Sequence, residues 1–169
     1  MIDNLKEKMN RIEDVMNNNH NRIYLFLDFD GVINLFLPLD EIDSDADLDH
    51  LVDEGCMDRL NKLCHDYDLK VVLSTSWRFA GFDYCVDYLH ENGFDRNIEI
   101  LGMTQSEELL DRSEEIINYL LEHDDYSNFI VIDDLLMEDL IAHQVLCDSY
   151  LGYDEDCDST ARALLKTMR

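Results

Sequence analysis

No stretch of this sequence is apolar for long enough to cross a bilayer. The N-terminus mixes charges among its apolar residues, where a secretory leader needs an uninterrupted apolar run. Both absences argue against a membrane or secreted protein, and the expectation is a soluble protein of the cytoplasm. Paired cysteines are missing as well. Cys56, Cys64, Cys85, Cys147 and Cys157 form an odd set of five without CxxC spacing, which fits reduced thiols better than a disulfide framework or a zinc site. Cys56 and Cys64 fall on a helical stretch and read as small core residues. Positive charge is the third scarcity: 13 lysines and arginines face 39 aspartates and glutamates, a net charge of −26. Such a field repels a long nucleic-acid backbone and disfavours non-specific duplex binding, while it concentrates divalent cations. For most of the acidic residues, solubility alone is a sufficient explanation.

What is present bounds the fold. A chain of 169 residues with 46% hydrophobic content can bury one sizeable core and needs no second domain. Ile2, Leu5, Met9, Ile12 and Met16 recur at helical spacing, so residues 1–21 are expected to hold an amphipathic helix docked on its own domain, ahead of a catalytic domain over 22–169. Self-association through that helix is the lesser option. Strands are expected at 24–27, 70–73, 98–101, 129–132 and 145–147, with helices at 56–66, 83–91, 113–122, up to 143, and from 159 onward. Repeated alternation of this kind implies a parallel, doubly wound sheet: an α/β, three-layer α/β/α sandwich with five mainly parallel strands. The segment around Pro38 and the acidic run 40–47 reads as a solvated flap near the site entrance; it lacks the turn glycine and final glutamate of a calcium loop.

The motif that carries chemistry is Asp28-Phe29-Asp30-Gly31-Val32, at the end of an apolar strand. Side chains alternate along a strand, so Asp28 and Asp30 point to one side, and Gly31 lets the backbone turn away at once. Two close carboxylates are costly unless a cation or a shared proton relieves them. Asp28 is therefore read as a magnesium ligand and nucleophile, and Asp30 as a proton-transfer group. Taken alone, the motif also fits a strand end with two solvated turn aspartates. Ser74-Thr75 and Asp133-Asp134 follow two other expected strands. In such sheets ligands bind beyond the carboxyl ends of the strands, where all three pairs would sit.

Over residues 22–168 the chain resembles the haloacid dehalogenase superfamily, Rossmann-like enzymes that mostly transfer phosphoryl groups through an aspartyl-phosphate. Four ordered motifs carry the resemblance: Asp28-Phe29-Asp30-Gly31, the apolar strand closing on Ser74, a basic residue at a helix start in Leu110-Asp111-Arg112-Ser113, and Asp133-Asp134 after Val131-Ile132. Ser74-Thr75-Ser76-Trp77-Arg78 and the short spacers are most similar to the small domains of Swiss Army Knife RNA-repair proteins and their stand-alone relatives. The resemblance implies Asp28 as nucleophile and Asp30 as acid/base, with the Asp30 carbonyl on magnesium. It implies further that Ser74 and the Thr75 amide hold a phosphoryl oxygen, Arg112 clamps phosphate, and Asp133 or Asp134 completes the metal site. The family most often has lysine where Arg112 stands; arginine cannot transfer a proton but can grip phosphate with a bidentate fork. Lys70, before the second strand, lies at the wrong end of the sheet to replace it.

Gly31, Thr75, Trp77 and Arg78 are the candidate substrate contacts, the last two through stacking on a base or a grip on a second phosphate; Trp77 as a core residue is the plainer reading. Ser76 reads as a cap for the helix that follows, and Tyr84 and Tyr88 as packing residues. One helix and one strand fill the interval from Ser74 to Arg112, which leaves little room for a cap domain and points to a capless, open site. Hydrolysis of phosphate monoesters is so slow that the barrier must fall by on the order of 20 kcal/mol, mostly through positioning and charge neutralisation. The first expectation is thus a magnesium-dependent phosphomonoester hydrolase acting on a phosphorylated small molecule or nucleotide. The alternatives are a phosphatase of RNA or DNA ends and, less favoured, a non-catalytic binding protein of this fold.

Overall fold

A computed structural model describes residues 2–18, 21–37, 52–106 and 110–168. The expected acidic flap at 40–47 lies outside the described residues. The elements run α1 (Ile2–Asn17), β1 (Ile23–Leu27), α2 (Glu54–Tyr67), β2 (Lys70–Leu73), a 3₁₀ helix (Ser76–Ala80), α3 (Phe82–Glu91), β3 (Ile100–Met103), α4 (Arg112–Leu121), β4 (Asn128–Asp133), a second 3₁₀ helix (Glu138–His143), β5 (Gln144–Leu146) and α5 (Glu155–Thr167).

The five strands form one sheet in the order β3-β2-β1-β4-β5, and every pairing is parallel. Parallel strands covered on both faces are apolar throughout, and all five residues of the central strand β1 are buried. Alternation then sorts them between two cores. Leu25 and Leu27 pack with residues of α2, α3 and α5, including Leu60, Leu89 and Leu165. Tyr24 and Phe26 pack on the other face with Ile116, Ile117 and Leu120 of α4 and with the fully buried Ile12 of α1. The N-terminal helix thus docks on its own domain, against α4. All five cysteines are free and buried.

Several boundaries differ from the sequence-based expectation. β3 starts at Ile100 rather than Ile98, because Ile98 is buried within the turn before the strand and a register shift follows Val71. Asp111, not Ser113, caps α4, in a reciprocal box with Glu114. Helix α5 begins at Glu155, four residues early, because Asp154 accepts from the Cys157 amide and the acidic first turn suits the positive end of the helix dipole. β5 is placed one residue earlier than expected.

The chain builds outward from β1 to β2 and β3, then crosses back to place β4 on the other side of β1. This reversal makes a topological switch point between β1 and β4, with a crevice at their carboxyl ends. Among the described residues, only the 3₁₀ helix, α3 and β3 lie between β2 and the segment leading into α4.

A buried ion pair fixes the loop after β2. Arg78 grips Glu115 of α4 with two nitrogens at 3.0 and 3.1 Å, and the two side chains are 14% and 2% exposed. Breaking such a pair strands a charge in a low-dielectric interior. Glu115→Ala is therefore expected to lower unfolding stability in urea by about 3–5 kcal/mol; a loss below ~1 kcal/mol would show that the pair is solvated.

Candidate active site

Leu27 is in register with both Leu73 and Ile132. The next residue of each strand therefore comes level with the others: Asp28, Ser74 and Asp133. The ladder continues into them, with the Ser74 amide donating to Leu27 O at 2.8 Å and the Asp28 amide to Ile132 O at 3.1 Å. All three are buried. Asp28, Asp133 and Asp134 each present an oxygen within 4.8 Å of the others. The turn after β1 crosses directly over this cluster. Gly31 has φ +77°, and a Cβ there would overlap the Asp134 carboxylate, so only glycine satisfies both the turn and the close approach.

Arg112, the first residue of α4, offsets part of the negative charge. Its Nη1 donates to Asp133 Oδ2 and to Ser74 O, both at 2.8 Å, and lies 3.4 Å from Asp28 Oδ1 in an ion pair. One guanidinium thus bridges the ends of three adjacent strands. It is not enough to make the site comfortable. Burial, with the neighbouring Asp133 second, pushes the Asp28 carboxyl up to about 8 despite Arg112. Burial likewise raises Asp133 to about 6, against the pull of Arg112 and of the Leu135 amide.

Two buried polar atoms here make no hydrogen bond, Asp28 Oδ1 and Ser74 Oγ. Such orphans are rare in native interiors and mark places where a ligand or ion is due. Three clustered carboxylates with an unsatisfied oxygen are a hard, all-oxygen donor set of the kind magnesium prefers, so the residues fit that ion.

The other residues singled out in the sequence divide into two groups. Asp30 follows the same strand, but its carboxylate is not part of the cluster and accepts from Trp77 Nε1 at 2.8 Å and Asn34 Nδ2 at 3.1 Å. Thr75, not Ser76, caps the 3₁₀ helix, its hydroxyl accepting from the Trp77 amide. Trp77 and Arg78 are the candidate substrate contacts, with a core role the plainer reading for Trp77. The Trp77 indole N–H is directed to Asp30, and Arg78 is turned inward to Glu115 and the Thr75 carbonyl. Tyr84 is exposed rather than packed, whereas Tyr88 packs against Trp77 and Phe29. Sequence reasoning missed Asn34 and Ser149. Ser149 donates to Asp134 Oδ2 at 2.8 Å from the loop after β5, and nothing local in the sequence marks it. Asn34 does carry a signal, as a polar residue directly after the apolar Val32-Ile33.

The chain matches a family model described as the HAD domain in Swiss Army Knife RNA repair proteins, over residues 24–156. The chain belongs to this family. No curated protein and no solved structure matches it significantly. The matched HAD segment runs from β1 into the start of α5 and so takes in every strand of the sheet and all the carboxylates above.

The raised carboxyls of the HAD site have a consequence for stability. Asp28 keeps its proton to about 8 in the native state but only to the ordinary 3.8 when unfolded. The native state therefore binds more protons between those values, and this group's contribution to stability falls as pH rises from about 4 to 8. Asp28→Asn should raise the melting temperature of metal-free protein more at pH 8 than at pH 5, and magnesium should raise that of the wild type more at pH 8. Thermal melts with and without magnesium check both; equal shifts at the two pH values would contradict the assignment.

Proposed function

We propose that this protein is a magnesium-dependent phosphomonoester hydrolase working through a covalent phosphoryl-aspartate on Asp28. The observation that carries this reading is the juxtaposition of a buried, unsatisfied Asp28 oxygen with a buried, unsatisfied Ser74 hydroxyl, beside Arg112. Membership of a HAD family supports a hydrolase of phosphorylated substrates.

Each residue has a task in this mechanism. Asp28 attacks phosphorus; Ser74 Oγ and Arg112 take up the phosphoryl oxygens, the first by donating its hydroxyl and the second through its guanidinium fork. Thr75 would add its backbone amide at the same place, and Gly31 lets substrate and the turn after β1 come close to Asp134. Asp30 protonates the leaving oxygen and later takes the proton of the water that cleaves the intermediate. Asp28, Asp133, Asp134 and the Asp30 carbonyl would hold magnesium, which when bound neutralises charge between the attacking carboxylate and the phosphoryl oxygens.

A second reading, a phosphatase of RNA or DNA ends, is favoured by the family's association with RNA repair proteins. Exposed Phe79, in the 3₁₀ helix after β2, and exposed Tyr150, in the loop after β5, offer faces for stacked bases. Against it stand the net charge of −26 and the inward commitment of Arg78, which leaves no basic track running from that side chain to the site. A phosphorylated small molecule or mononucleotide is therefore the first choice of substrate.

Asp28→Asn is expected to abolish magnesium-dependent hydrolysis of an aryl phosphate while the fold survives, and Asp30→Asn to slow breakdown of the intermediate. Full activity in either variant would end this mechanism. Comparing 5′- and 3′-phosphorylated oligonucleotides with mononucleotides separates the two substrate classes: preference for mononucleotides by about tenfold or more supports the first, and the reverse, with a steep salt dependence, supports the second.

A further inference from the structure

Asp30 is held by side chains that play no part in the carboxylate cluster. Its two oxygens are tethered from different parts of the chain. Trp77 Nε1, in the 3₁₀ helix after β2, donates to Oδ2 at 2.8 Å, and Asn34 Nδ2, in the turn after β1, donates to Oδ1 at 3.1 Å. An indole nitrogen can only donate, so its direction is unambiguous. The Asn34 amide is oriented in turn by Tyr88 of α3, whose hydroxyl donates to Asn34 Oδ1 at 2.7 Å and leaves the amide nitrogen to face Asp30.

Each tether is itself anchored. Asn34 is 3% exposed, and its backbone bonds to Gly31 and Phe29 at 2.7 and 3.0 Å, within the turn that carries Asp30. Trp77 packs on Tyr88 at 4.4 Å and on Phe29 at 5.7 Å between ring centroids, so two rings back the indole. The neighbouring Arg78 fixes the same 3₁₀ helix to α4 through Glu115. Such a two-sided hold sets the plane of the carboxylate.

We infer that Trp77 and Asn34 are positioning residues for Asp30, holding its carboxyl group where it can exchange a proton with the leaving oxygen. The catalytic meaning rests on the phosphatase reading above; the contact itself rests on geometry. In the first step an oxygen of the ionised Asp28 carboxylate forms a bond to phosphorus. The bond from phosphorus to the leaving oxygen breaks with its electron pair on that oxygen, and the proton passes to it from Asp30. In the second step a water oxygen bonds to phosphorus, the Asp28 oxygen departs, and Asp30 recovers a proton from the water. An aryloxide of low basicity leaves with little help, whereas an alkoxide needs the proton. Misplacing Asp30 must therefore penalise alkyl esters more than aryl esters, while a merely structural defect lowers both alike.

Two measurements test the inference. The first compares kcat/KM for p-nitrophenyl phosphate with that for glycerol phosphate. The ratio of aryl to alkyl should rise by about tenfold or more in Trp77→Phe, which keeps a ring but loses the N–H, and likewise in Asn34→Ala, which removes the other donor. An unchanged ratio in both variants overturns the positioning role. The second uses the single tryptophan of the chain, which gives one indole N–H resonance. Asp30→Ala should move it upfield, and an unmoved resonance overturns the contact. If the wild type hydrolyses neither ester although the resonance does move, the phosphatase reading is what fails; the positioning role falls with it and the contact stands.

Discussion

Three carboxylates within 4.8 Å of one another, two of them buried, repel each other strongly unless positive charge or protons intervene. The surrounding structure is organised around that repulsion. Arg112 supplies the only protein cation in contact with Asp28 and Asp133 among the described residues, and it does so from the first residue of α4. Its place depends on where the helix starts, which the Asp111 and Glu114 capping box determines. The helix in turn is held by Ile116, Ile117 and Leu120 against the sheet and α1. A surface cap and a buried apolar face thus determine whether a guanidinium reaches the strand ends.

Helix α4 reaches the other half of the site as well. Glu115 lies three residues beyond Arg112, on the same side of the first turn. It holds Arg78, which fixes the 3₁₀ helix that carries Trp77, and Trp77 holds Asp30. One turn of helix therefore supports the charge balance at Asp28 directly and the orientation of Asp30 at two removes. The two aspartates of Asp28-Phe29-Asp30 are separated in environment accordingly. Asp28 is buried among carboxylates with an oxygen left unsatisfied, whereas both oxygens of Asp30 are engaged by neutral N–H donors. Carboxylates set in environments this different can take different roles.

The strands and their terminal carboxylates were legible because parallel-sheet chemistry is local: a continuous apolar run, then Asp or Ser, then a turn. Alternation of strands and helices supplied the topology, and topology brought Asp28, Ser74 and Asp133 level. What sequence alone did not show were partnerships across the fold. Trp77 and Arg78 have side chains suited to substrate recognition, and the intramolecular partners that occupy them, Asp30 and Glu115, are 47 and 37 positions away. The early start of α5 was hidden because Asp154-Glu155-Asp156 reads as a solvated loop, although acidic residues are at home in a first helical turn.

The choice of arginine at position 112 follows from the same geometry. A basic group here must satisfy the Ser74 carbonyl, pair with Asp133 and stand beside Asp28, and in the proposed mechanism it must still have donors to offer a phosphoryl group. A lysine ammonium has three donors on a single nitrogen, and the first tasks would exhaust most of them. Arginine meets the two protein acceptors through Nη1 alone, and a guanidinium carries further N–H groups in a rigid fork that matches phosphate oxygens. It cannot pass a proton, so in the proposed mechanism proton transfer falls to Asp30. That concentration of duty on one carboxylate is a physical reason for it to be held from both sides.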